Sequence, residues 1–275
     1  MLGYRVPFIA ILRNIHCIAQ RSKMVKRSEI DELKLVSLLW RNAPTSPRSG
    51  LSTSGITELA VNLADREGLE AVTIRRLASE AGVTAMALYP HIGGHAELVE
   101  LMLDHVAGTT YANTEISSET DWRNRVIAVA EANWNSCQTH PWITDITPGR
   151  PVPGPGITTK YEIELRALDG IGMTDIVLEH TLTALLALVQ GTARSAIAAQ
   201  RERASGEHDD MGWWSGIEPT LTAAISDPSR FPTAACVSSA LGEATGLAND
   251  PEGAYHRGVA LFLDGLKQQY PTKTS

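Results

Sequence analysis

The sequence is poor in the residues that build cross-linked, membrane-spanning or catalytic scaffolds. Its 275 residues include three cysteines, Cys17, Cys137 and Cys236, widely spaced and without a CxxC pair. So few, so scattered, they argue against a disulfide framework or a zinc site and fit a reducing cytoplasm. Aromatic residues make up only 5%, so Leu, Ala, Val and Ile must fill most of the core. Their Ala- and Leu-rich stretches, without β-type alternation, point to helices. No run of about 18 apolar residues occurs, so a membrane partner is not expected. A glycine-rich phosphate loop, HExxH and GxSxG are all missing, and Gly154-Pro155-Gly156 is a proline-rich loop rather than a nucleotide fingerprint. The expectation is therefore a non-enzyme with no cofactor.

What is present is an uneven distribution of charge. The net charge is −7, which taken alone opposes a nucleic-acid partner. Residues 1–50, however, hold nine Lys/Arg against three Asp/Glu (+6), residues 51–108 hold three against eight (−5), and residues 109–275 hold twelve against twenty (−8). A basic arm followed by an acidic body suits DNA binding in which the arm supplies much of the phosphate attraction and affinity falls steeply with salt. Within that arm, Tyr4 to Ala19 is apolar but broken by Arg5, Arg13 and His16. It reads as a disordered leader, or as sequence upstream of a start at Met24. A signal peptide is the alternative, without a clean cleavage site to support it.

Three regions follow from composition and spacing: a basic arm and linker at 1–50, a compact helical domain at 51–108, and a larger helical domain at 109–275. Glu29 to Trp40 has the pattern of a short amphipathic helix, and two prolines at 42–50 mark a linker. Ile56, Leu59, Ala60 and Leu63 recur at helical spacing between Thr53 and Glu67, with Gly68 as the stop. Thr73 caps a second helix carrying Ile74, Leu77 and Ala78, which Gly82 breaks. Thr84 caps a third, from Ala85 to about Tyr89, expected to tighten or end at Pro90. A fourth runs from His95 to Gly108. Further helices are expected at Asp121–Thr139, Ile157–Leu168, Asp175–Ala204 and Glu252–Gln269, with loops at Pro148–Pro155 and Ser205–Ser215 and no strand.

Two short helices joined by Ala81-Gly82-Val83 have the outline of a helix-turn-helix, whose second helix can enter the major groove. On spacing alone, a plain helical hairpin within a bundle explains them as well. The residues decide between the two. From Ile56 to Met102, including Ala64, Gly68, Thr73, Leu77, Ala78, Gly82, Val83, Leu88, Tyr89, His91 and Leu98, the chain resembles the TetR-family DNA-binding domain without a gap. His140-Pro141-Trp142 and Gly258 to Leu266 look like the C-terminal ligand-binding and dimerisation domain of actinobacterial-type members, though more loosely.

The resemblance implies an all-α fold, an N-terminal three-helix DNA-binding domain and a larger C-terminal bundle, working as a homodimer on double-stranded DNA and answering to a small-molecule effector. It implies that Thr73 meets a phosphate at a helix N-terminus. Arg75 and Arg76 would lie on the outer face of that helix. Thr84, Ala85 and Met86 would face base edges, Tyr89 and His91 would donate to phosphates, Arg48 would reach the minor groove from the arm, and His95 is a further DNA-binding candidate whose protonation would tighten binding. The alternatives are a solvated charged face for Arg75 and Arg76, and packing roles for Tyr89 and Met86. His91 and His95 stand four apart like a metal pair, but Gly93-Gly94 breaks the helix that such a site needs, so no metal is expected. His95 stands where the family commonly has lysine, and Pro90 where a polar residue is common.

In the C-terminal region, Leu182, Leu185, Leu186 and Val189 recur at i, i+3, i+4 and i+7. With Phe262 and Leu266 they are the candidate dimer interface, and packing within one subunit is the alternative. Trp134, Trp142, Tyr161, Met173, Trp213, Trp214 and Phe231 are the candidate effector-lining residues, with core packing as their alternative. A dimeric interaction protein with a degenerate helix-turn-helix remains the competing function.

Overall fold

The computed structural model describes residues 31–40, 51–114, 116, 121–146, 153–206, 209–225 and 228–271. These residues form eleven α-helices and no strand. The helices are α1 (Glu32–Trp40), α2 (Thr53–Glu67), α3 (Ile74–Glu80), α4 (Ala85–Ile92), α5 (His95–Thr109), α6 (Trp122–Thr139), α7 (Pro155–Leu168), α8 (Asp175–Ser205), α9 (Asp210–Ala224), α10 (Pro232–Thr245) and α11 (Pro251–Gln269). Described residues up to Arg194 form one compact unit with those from Arg257 onward, and Ser195–His256 form another.

Caps set the boundaries of the first helices. The Ser52 hydroxyl accepts from the Gly55 N–H at 3.0 Å at the start of α2, and the Thr73 hydroxyl accepts from the Arg76 N–H at 3.2 Å at the start of α3. Gly68 and Gly82, at φ 85° and 67°, make the two turns in a region that other residues enter only with strain. Thr84 has the extended backbone of an N-cap, but its side chain makes no capping hydrogen bond.

α4 does not stop at Pro90. It continues to Ile92 and ends at Gly93. Leu88 and Ile92, one turn apart, are both fully buried, and the Thr53 hydroxyl donates to the His91 carbonyl at 2.8 Å. Burying two such side chains stabilises by about 3–6 kcal/mol, enough to offset the cost of an internal proline, about 3 kcal/mol.

Leu35 of α1, Ile56, Ala60 and Leu63 of α2, Leu77 of α3, Leu88 and Ile92 of α4, and Leu98 and Met102 of α5 make one apolar core. Trp142 and Ile146 belong to it as well. They come from the 3₁₀ turn Pro141–Asp145 and the residue after it.

α5 lies close against α7. A Cβ on Gly156 would stand 1.9 Å from the Asp104 carbonyl oxygen, and Gly108 would meet the Gly156 Cα at 3.3 Å. The Asp104 carboxylate accepts from the N–H groups of Gly156 and Ile157 at 3.2 and 2.8 Å, capping α7 from a neighbouring helix. Burial raises this carboxyl above the usual carboxylate range, and the two N–H donors pull against that rise. Arg125 of α6 donates to the Ala167 and Asp169 carbonyls at 3.2 and 3.0 Å, closing the end of α7.

The segment Ser205–Ser215, expected to be a loop, gives way to α9 from Asp210 onward. The Asp209 carboxylate caps that helix by accepting from the Gly212 N–H at 2.7 Å. α10 was not anticipated; its Ala, Ser and Gly residues give little apolar periodicity, and Pro232 at its first turn is the signal that marks it.

Candidate nucleic-acid interface

α3 and α4 are held at their turn by Leu77 and Leu88, both fully buried, and by the Val83 N–H donating to the Ala78 carbonyl at 2.9 Å. The outer surface of the pair carries Thr73, Arg75, Arg76, Thr84, Met86, Tyr89 and Pro90, all exposed. Met86 is 75% and Tyr89 41% exposed. Ala85 and His91 are half-buried.

The two arginines differ. Arg76 donates to Glu80 at 2.8 Å and to Glu67 at 2.9 Å, and Arg66 lies 3.6 Å from Glu80. The hydrogen bond to Glu80 and the charge of Glu67 hold the Arg76 guanidinium above its ordinary value. It is thus engaged by two carboxylates of its own domain rather than presented to a phosphate. Arg75 is exposed and has no ionic partner among the described residues. His95 is exposed, and its Nε2–H donates to the Val72 carbonyl at 2.9 Å, bracing the turn that leads into α3. Arg48 lies outside the described residues.

Beneath this surface, Asp65 of α2 accepts from Trp142 Nε1 at 2.7 Å and from His140 Nδ1 at 2.8 Å, both at Oδ1. Trp142 is therefore part of the apolar core that it shares with the helix-turn-helix. The Thr144 carbonyl in the same segment accepts from Arg194 Nε of α8 at 2.7 Å.

The other effector candidates are divided between the two compact units. Tyr161 is exposed and donates to Glu179 at 2.6 Å. The half-buried Met173 sulfur accepts from the Thr181 hydroxyl at 3.4 Å, and Trp134 is half-buried on α6. Trp213, Trp214 and Phe231 belong to the other compact unit.

The dimer candidates divide by burial. Leu182, Leu185, Val189 and Leu266 are buried within the chain, and Leu186 and Phe262 partly so. A periodic stripe identifies the inward face, and here that face is already spent inside the subunit. The exposed faces of the same helices carry Val177, Ala184, Ala187 and Gly191 on α8, and Leu261 and Gly265 on α11. Leu188 packs on Gly258, where a Cβ would come within 2.8 Å of it.

Sequence reasoning missed a buried polar set. Glu164 of α7 accepts from the Tyr111 hydroxyl at 2.7 Å and from Asn133 Nδ2 at 2.9 Å, and it pairs with Lys160. Burial, then the Glu164 charge, push the Tyr111 hydroxyl well above its ordinary value. Burial likewise pushes the Cys137 thiol up to about 11, against the pull of Lys160 and Arg194. The signal available was Glu164 lying four residues after Lys160, a spacing that reads first as a solvated pair.

Two short helices on a shared core, the second presenting its outer face, define a helix-turn-helix DNA-binding regulator. The chain belongs to the TetR family: residues 56–102 match the bacterial regulatory proteins of the tetR family, and residues 117–270 match the tetracyclin repressor-like C-terminal domain. The HTH-type transcriptional repressor DrrR1 of Streptomyces coeruleorubidus is 30% identical over 240 residues, 86% of each chain. The tetracycline repressor protein class C of Escherichia coli is 23% identical over 223 residues, 79% of this chain and 91% of the relative. Among solved structures, the Streptomyces coelicolor TetR family protein ActR in complex with actinorhodin superimposes with a TM-score of 0.64 at 21% identity, covering 80% of this chain and 99% of that one. Membership places the chain among transcription regulators and not among enzymes.

Proposed function

We propose that the chain is a repressor that binds a pseudo-palindromic operator as a homodimer and is released by a small molecule taken up in its C-terminal domain. The observation that carries this reading is the outer face of α3 and α4, where Thr84, Met86 and Tyr89 are exposed while Leu77 and Leu88 are buried in the core beneath. Residues 51–108 are the DNA-binding domain and 109–275 the effector and dimerisation domain. The basic arm at 1–50 supplies phosphate attraction that a domain of charge −5 lacks. Two copies must pair to set two recognition helices about one turn of DNA apart. The small-residue face of α8 (Ala184, Ala187, Gly191) and the exposed face of α11 (Leu261, Gly265) suit that pairing. α8 is long and apolar enough to cross a membrane, and pairing across that face accounts for its exposed apolar side in a cytoplasmic protein.

The test is anisotropy titration against duplex from the gene's own upstream region and against random duplex, at two salt concentrations, with sedimentation alongside. Saturable, salt-weakened preference for the upstream duplex by a dimer is expected. A monomer, or equal feeble binding to both duplexes, would sink the reading. One observation favours the competing function, a dimeric interaction protein that no longer binds DNA. Arg66 and Arg76, two of the three arginines in residues 51–108, are engaged by Glu67 and Glu80. Dimerisation without duplex binding would select it.

A further inference from the structure

We infer that the recognition helix reads thymine methyl groups, with Met86 as the residue that does so; this rests on the DNA-binding reading above. Base pairs are told apart in the major groove mainly by two-headed hydrogen-bonding side chains: Arg on guanine, Asn or Gln on adenine, a carboxylate on cytosine. α4 holds none of them. Its eight residues are Ala85, Met86, Ala87, Leu88, Tyr89, Pro90, His91 and Ile92. Leu88 and Ile92 are spent in the core, and the most exposed large apolar side chain of the helix is Met86, 75% exposed. Beside it are the half-buried Ala85 and the exposed ring of Pro90, which has no donor. The polar groups on this face make no parallel two-point contact: the Thr84 and Tyr89 hydroxyls are single atoms, and the two nitrogens of the His91 ring point apart, so each meets a base edge with one head. A single head can anchor a phosphate or touch one acceptor, but it does not identify a base pair.

What remains for an apolar face to recognise is the one apolar feature of the major-groove edge, the C5 methyl of thymine. A methionine is suited to it, being unbranched, polarizable and able to follow a methyl through several rotamers. The same chemistry fixes a second property. 5-Methylcytosine carries its methyl at the same ring position, so a methylated C·G pair at the contacted step regains a contact that an unmethylated one lacks.

The experiment takes the full chain and a duplex containing its footprinted operator. Each thymine is replaced in turn by deoxyuridine, which removes only the methyl. Where α4 lies, binding weakens roughly fourfold for each contacted methyl. Met86→Ala, at an exposed site with the best helix former, erases the thymine–uracil difference at its own step and leaves the salt dependence intact. At that step, 5-methylcytosine binds more tightly than cytosine. Equal affinity for every thymine and uracil duplex overturns the inference, as does a Met86→Ala protein that still discriminates them. Absence of saturable binding to the thymine operator overturns the DNA-binding reading itself.

Discussion

Trp142 donates its indole N–H to the Asp65 carboxylate at 2.7 Å, across 77 residues of sequence, and so fastens the segment after α6 to the helix that opens the DNA-binding domain. His140 shares the same oxygen at 2.8 Å. Trp142→Phe keeps most of the ring and removes the donor. It is expected to cost about 1–2 kcal/mol in urea unfolding, whereas Trp142→Ala, which also opens a cavity, costs about 3–5 kcal/mol. Equal losses in the two variants would mean that the hydrogen bond adds nothing to the packing.

Arg75 and Arg76 are adjacent, yet substitution separates them. Arg75→Ala is expected to weaken binding to operator and random duplex alike and to lower the log–log salt slope by about 1. Arg76→Ala leaves that slope unchanged, because its guanidinium is held by Glu67 and Glu80. Titrations across several salt concentrations check both. A slope lowered by Arg76→Ala would show that its ion pairs open on DNA.

Gly156→Ala tests the close approach of α5 and α7. The added Cβ would meet backbone, the Asp104 carbonyl at 1.9 Å, which cannot move aside as a flexible side chain would. A loss of about 3 kcal/mol or more is expected from forcing the two helices apart. A thermal midpoint within a degree of the parent would contradict the contact.

Cys137 gives a pH dependence with a definite sign. Its thiol is raised from 9.0 to about 11 in the folded chain, so folding favours the protonated form. Its contribution is fully present below the unfolded value and is lost as pH rises through the folded one. Between pH 8 and pH 11 the parent should lose about 2–3 kcal/mol more stability than Cys137→Ala. At pH 8 the folded thiol should also resist alkylation while the exposed Cys236 reacts. Peptide mass spectrometry after brief iodoacetamide treatment reads this directly, and rapid modification of Cys137 in folded protein would contradict it.

The helix-turn-helix was legible in the sequence because its signals are local. Thr73 as a cap, Gly68 and Gly82 as turns, and Leu77 and Leu88 as the locking pair all act within a few residues of where they stand. α4 ran past Pro90 because Leu88 and Ile92 are buried together, a tertiary gain that outweighs a local penalty. The α8 stripe was found by its period, but a period says only that a face is covered, not by which chain. The Asp65–Trp142 link joins residues too far apart for any local pattern. The pairing of Arg76 with Glu80 was within reach, since the two stand four apart on one helix face.

The shared core also bears on how far this regulator is modular. Trp142 and Ile146 belong to the same apolar core as the helices of the DNA-binding domain, so the DNA-reading head is not a self-contained cassette. A graft of residues 51–108 onto a foreign sensor would leave behind a tryptophan of its core and strip the Asp65 carboxylate of two donors. To transplant the head intact, the seam must be cut so that His140 to Ile146 travels with it, as a second, separate piece of chain.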